Sequence, residues 1–135
     1  MEKEFVPYDL SLRMKSIGFD EGCFGYYESG DRNLVINFNN FPLSKEQKKR
    51  SGLYLINNSN SSLPQWAVSA PTWQQAFRWF REYHNLFGHI EVEGDNSFYW
   101  HIRNPEQFIS SQKSDSYREA ELHCLGELIE IGEQK

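Results

Sequence analysis

Four histidines, at positions 84, 89, 101 and 123, are the side chains of this sequence best suited to hold a metal or move a proton. Zinc sites usually present two ligands at short fixed spacing on one element, as in C-x-x-C or H-E-x-x-H. No such pair occurs here, so the histidines are expected in structural or solvent-exposed roles, with no metal and no cofactor. Nucleophilic catalysis needs a Ser or Cys beside a positioned base. Cys124 follows His123 directly, but adjacent helical residues point about 100° apart and do not face each other. No G-x-S-x-G, P-loop or G-x-G-x-x-G is present. No residue is assigned a catalytic role.

What the residues do offer is a contact surface. His89-Ile90-Glu91-Val92-Glu93 and Ser97-Phe98-Tyr99-Trp100-His101-Ile102-Arg103 both alternate, with Gly94-Asp95-Asn96 between them, which is the period-2 signal of a half-buried antiparallel hairpin. A three-residue loop pairs Val92 with Phe98 and Ile90 with Trp100, so these four share one face. A two- or four-residue loop would mix the faces, so the pattern selects the register. The opposite face then carries Glu91 across from Tyr99 and His89 across from His101, with Arg103 beyond. Glu91, Tyr99, His101 and Arg103 are therefore the candidate binding patch. Trp79 and Tyr83, off the main apolar stripe of a neighbouring helix, are candidate additions, since Tyr, Trp and Arg are over-represented where interfaces carry their energy.

The elements that must position this hairpin can be read in turn. The clearest helix opens at Pro71 with a capping box, Thr72-x-x-Gln75, and is expected to end at Gly88 in a left-handed terminus. Trp73, Ala76, Phe77, Phe80, His84 and Phe87 recur at helical spacing along it. Earlier, Asp9 or Ser11 can start a two-turn helix carrying Leu10, Met14 and Ile17. Gly18 then fits the position after its end, and Phe19 falls over Met14 in a Schellman ending. Strands are expected at 23–27, 34–38, 53–57 and 65–69, the first pair forming a hairpin. Gly25 inside the first strand suggests a bulge or a close approach by a neighbour. Residues 39–52 read as a polar loop, 58–63 as a flexible turn and 104–115 as a polar connection. Ser116-x-x-Glu119 is a second capping box. It opens a last helix with Tyr117, Ala120, Cys124, Leu128 and Ile131 on a stripe widened by Leu125, and Gly126 within it suggests close approach of another element.

With 135 residues and 39% hydrophobic content the chain fits one soluble domain, 1–135. Hairpins without a βαβ crossover pattern place it in the α+β class, a mostly antiparallel sheet with two main helices on one face. The 4 Trp, 7 Tyr and 10 Phe are more rings than one small core holds, so some are expected at the surface. A net charge of −5 disfavours a phosphate-neutralising footprint. Lys45, Lys48, Lys49 and Arg50 form a basic run, read as a solvated loop with Glu46 interleaved. Phe24-Gly25-Tyr26 has the aromatic-Gly-aromatic form of an RNA-recognition strand without its basic motif. Cys23 and Cys124, each in an apolar segment, are expected as buried free thiols. The first residues lack an apolar h-region, and no apolar run approaches the roughly 20 residues that span a bilayer. A cytoplasmic protein without a membrane partner is the expectation.

Three segments carry a resemblance when taken in order. They are 12–27, ending Gly18-Phe19-Asp20-Glu21-Gly22-Cys23-Phe24-Gly25-Tyr26-Tyr27; 70–81, with its Pro-Thr-aromatic-Gln-Gln-Ala helix start; and Tyr117-Arg118-Glu119-Ala120-Glu121 with Cys124-Leu125. Together they resemble a group of small uncharacterised proteins of gut-bacterial (Bacteroidetes-type) genomes, prophages and tailed phages. The resemblance implies a mobile-element context and carries over no catalytic residue. The functional expectation is a non-catalytic phage- or prophage-type accessory protein that binds a host protein. The alternative is a small-molecule binder or small enzyme with an aromatic pocket between helix and sheet, lined by residues such as Trp73 and Tyr26. A weaker alternative is a nucleic-acid binder acting through residues 45–50.

Overall fold

The computed structural model describes residues 2–28, 33–36 and 58–135 and divides into two units, Met1–Thr72 and Trp73–Lys135. Each unit holds one three-stranded sheet, and every strand pair among the described residues is antiparallel. The fold class is α+β, as the hairpin order predicts. No helix among the described residues is long and apolar enough to cross a membrane. The expected strand at 53–57 and the basic run Lys45 to Arg50 lie outside the described residues.

The first unit opens with a 3-10 turn, Glu2–Glu4, and helix α1, Tyr8–Ser16. The helix starts earlier than its polar residues suggest. Pro7 stands at its N-cap without a side-chain hydrogen bond, and Ser11 is buried inside it, its hydroxyl donating to the Val6 carbonyl at 3.1 Å. Its end follows the sequence closely. Gly18 takes φ 101°, its amide bonds to Lys15 O at 3.1 Å and the Phe19 amide to Met14 O at 2.9 Å, the paired bonds of a Schellman motif. Met14 and Phe19 are both buried.

Strands β1 (Gly25–Tyr27), β2 (Leu34–Ile36) and β3 (Val68–Ala70) form the sheet in the order β2-β1-β3. Phe5, Tyr27, Val68 and Ala70 make its core, with Tyr8, Leu34 and Ile36 against it. The Tyr27 hydroxyl donates to Val6 O at 2.6 Å, so the largest polar side chain of that core is satisfied. A Cβ on Gly25 would sit 2.9 Å from the Val35 carbonyl oxygen, so the close approach suggested by the sequence is real. The turn at 58–63, expected to be flexible, is tied down. Asn60 donates to Phe19 O at 2.8 Å and accepts from the Ser69 amide at 2.9 Å, while Asn58 donates to Cys23 O at 3.0 Å. Asparagine side chains offer both donor and acceptor, which lets a polar turn dock on unpaired backbone groups.

In the second unit helix α2 spans Trp73–Tyr83 and buries Trp73, Ala76, Phe77, Trp79 and Phe80. It ends before Gly88. Asn85 takes the left-handed position, φ 58°, and the Leu86 amide returns to Phe80 O at 3.1 Å. Asparagine is the residue after glycine best able to do this. Gly88 and Phe87 belong instead to strand β4, Phe87–Val92, which pairs with β5, Phe98–Arg103, and through it β6, Phe108–Ser114. Strand β6 replaces the polar connection expected at 104–115. Its Ser-Ser-Gln-Lys run has little strand propensity, and it forms by pairing along β5 with a register shift at Ile102/Arg103.

Helix α3, Tyr117–Glu133, begins at Ser116, whose Oγ accepts the Glu119 amide at 3.1 Å, the first half of the capping box. Ala120, Cys124, Leu125, Leu128, Ile129 and Gly132 are its buried residues, so Ile129 takes the core place expected of Ile131, and Tyr117 is exposed. Gly126, expected at a close contact, has no heavy atom within 4 Å of a built Cβ. The close contact is at Gly88, where a Cβ would meet Leu128 Cδ1 at 3.0 Å and Phe77 Cε1 at 3.1 Å. One Cβ direction meeting both helices puts α2 and α3 on the same face of β4.

Candidate functional site

The hairpin β4–β5 has the register that alternation selects: His89 opposite His101, Ile90 opposite Trp100, Glu91 opposite Tyr99 and Val92 opposite Phe98. The Asn96 amide closes the loop onto Glu93 O at 3.2 Å, and Asn96 takes φ 63°, the form usual for a three-residue hairpin loop. Trp100 and Ile102 are buried on the helix-facing side, while Val92, at the strand's end, stays exposed.

The outer face therefore collects His89, Glu91, Tyr99, His101 and Arg103, and β6 adds Lys113 opposite Tyr99 and Ser111 opposite His101. The exposed rings Phe87 and Phe108 both register against Arg103, giving a Phe-Arg-Phe row across the three strands. Of the candidate patch, Glu91, Tyr99, His101 and Arg103 are thus brought together. Trp79 is not available to it: the ring is 4% exposed and stacks edge-on against Phe80 and His84. An indole at this position extends the buried stripe of α2, which is wider than the sequence spacing suggests. Tyr83 is exposed on α2.

The polar centre of this face is a cluster around His101. His101 Nε2 lies 3.0 Å from Glu91 Oε2, and His101 Nδ1 lies 3.0 Å from Ser111 Oγ. The His89 and His101 rings are 4.9 Å apart between centroids. One ligand atom from each of His89, Glu91 and His101 can be chosen so that all lie within 4.8 Å of one another. Burial, then the neighbouring His101 and Arg103, push the His89 pKa below its ordinary value, outweighing the Glu91 carboxylate that raises it. The cross-strand histidines are legible from the register. Glu91 joins them because H-x-E places both side chains on one face of a strand, a spacing that the C-x-x-C and H-E-x-x-H zinc motifs do not contain.

Two hollows flank the cluster. A cleft of about 550 Å³ is lined by Trp73, Phe77, Arg78, Arg81, Tyr117 and Glu121, without Tyr26. A second, of about 460 Å³, lies among Arg81, Phe87, His89, Arg103 and Pro105. Tyr26 lies half-buried on β1 of the first unit. Cys23 and Cys124 are both buried, and burial pushes the Cys124 thiol up to about 12.

Comparison of the chain with protein-family models, curated proteins and solved structures returns no match.

Proposed function

We propose that this chain is a non-catalytic accessory protein of a phage or prophage, acting in the cytoplasm on a protein of its host, with the outer face of β4–β5–β6 as its contact surface. The observation that carries the reading is the Phe87–Arg103–Phe108 row, two exposed aromatic residues registered on either side of an arginine. It lies beside Glu91, Tyr99 and His101 on the side of the sheet away from the helices. Aromatic and arginine side chains supply most interface energy, and charged neighbours supply a polar rim. The resemblance to prophage and phage proteins supplies the host context.

Affinity capture from host lysate, followed by binding of the purified partner, tests this. Wild type is expected to bind one partner, and a Tyr99→Ala, Arg103→Ala double variant to bind it at least tenfold more weakly. A partner held equally by the variant rejects this face. A second reading, a small-molecule binder, is favoured by the size of the Trp73 cleft, about 550 Å³, which falls in the range of ligand pockets. A metabolite retained by the purified protein and lost in Arg78→Ala would move the function to that cleft. Binding of nucleic acid through Lys45 to Arg50, which lie outside the described residues, runs against the net charge of −5.

A further inference from the structure

We propose that His89, Glu91 and His101 form a binding site for a divalent first-row transition metal ion, with zinc as the reference ion, on the outer face of the β4–β5 hairpin. The site arises from register alone. His89 and Glu91 are two apart on β4 and so project to the same side, and His101 is the direct cross-strand partner of His89. Their ligand atoms lie within 4.8 Å of one another. Donors at about 2.1 Å around a tetrahedral ion are about 3.4 Å apart, so rotation of the exposed Glu91 and His89 side chains closes the shell without moving backbone.

The existing hydrogen bonds point the same way. The 3.0 Å contact between His101 Nε2 and Glu91 Oε2 is a proton-bridged pair that a cation can bridge instead. The ring's one remaining proton then resides on Nδ1, from which it can donate a hydrogen bond to Ser111 Oγ at 3.0 Å. That is the arrangement that orients ligand histidines in metal proteins, the second ring nitrogen donating to a fixed oxygen. Two imidazoles and one carboxylate suit zinc, cobalt or nickel and not calcium or magnesium, which take oxygen ligands. Three protein ligands leave positions open for water or an incoming donor. Arg103 faces the same region and opposes the added positive charge, so it limits affinity. The site shares Glu91 and His101 with the contact surface proposed above, and its test needs no protein partner.

The test uses the untagged full chain, titrated with Zn²⁺ by calorimetry and with Co²⁺ by visible absorption. One ion per chain is expected, with a Co²⁺ spectrum of nitrogen and oxygen donors in a four- or five-coordinate field. His101→Ala and Glu91→Gln should each weaken binding at least tenfold, Ser111→Ala by less, and Arg103→Ala should tighten it a few-fold. His123→Ala, on α3 and away from this face, should bind as wild type does. Absence of saturable binding by wild type overturns the proposal. So does binding that survives in His101→Ala, or that is lost equally in His123→Ala.

Discussion

Gly88 and Cys124 approach so closely that a Cβ on the glycine would lie 2.9 Å from the cysteine sulfur. Strand β4 can be covered by α3 only because position 88 has no side chain. Gly88→Ala is expected to cost about 1–3 kcal/mol, the range for overpacking a filled core. Adding Cys124→Ala should recover part of that loss, giving a coupling energy above about 0.5 kcal/mol in denaturant melts. Strict additivity would show that the two positions do not meet.

Gly126 gives the opposite expectation. It is helical, and a Cβ there meets no neighbour, so only the entropic cost of glycine remains. Gly126→Ala should stabilise the protein by about 1 kcal/mol. A destabilised variant would place an element against that face of α3.

Phe80 and Ser116 should rank far apart. Phe80 is fully buried on α2, and its truncation to Ala is expected to cost about 3–5 kcal/mol. Ser116→Ala removes one cap hydrogen bond to the Glu119 amide, worth about 1 kcal/mol. Melts that reverse this order would overturn the assignment of the α2 stripe.

Both thiols should resist modification in the native state. They are buried, and burial holds the Cys124 thiol near a pKa of about 12, so almost none is thiolate at neutral pH. A colorimetric thiol reagent at pH 8 should titrate no cysteine in the folded protein and both after denaturation. Rapid reaction of one thiol without unfolding would contradict this packing.

His84 should contribute to acid sensitivity. Burial, and secondarily the Lys135 ammonium, lower its pKa from the ordinary 6.5. The unfolded state then binds more protons than the folded one below pH 6.5, so stability falls as pH drops from there towards the folded pKa. Above pH 6.5 the contribution is complete. His84→Gln should therefore lose less Tm than wild type between pH 7.5 and pH 5. Equal losses would assign the acid sensitivity elsewhere.

The features legible in the amino-acid sequence were those set by neighbours along the chain. The Schellman ending at Gly18 and Phe19, the cap at Ser116 and the β4–β5 register each depend on a few consecutive residues and on the period of the backbone. Contact with the rest of the molecule decided the others. Asn85 displaced Gly88 from the helix end because the glycine was needed where α2 and α3 converge on β4. Trp79 went into the interior because the buried stripe of α2 widened to take it. Strand β6 formed from a serine-rich segment because β5 offered an unpaired edge. The His89–Glu91–His101 cluster depends on both kinds of information. Alternation puts the first two on one face and the hairpin loop sets the third opposite, but only the folded side chains bring the Glu91 carboxylate diagonally onto His101. Local periodicity specifies which side of a strand a residue faces, and side-chain packing across strands specifies what it meets there.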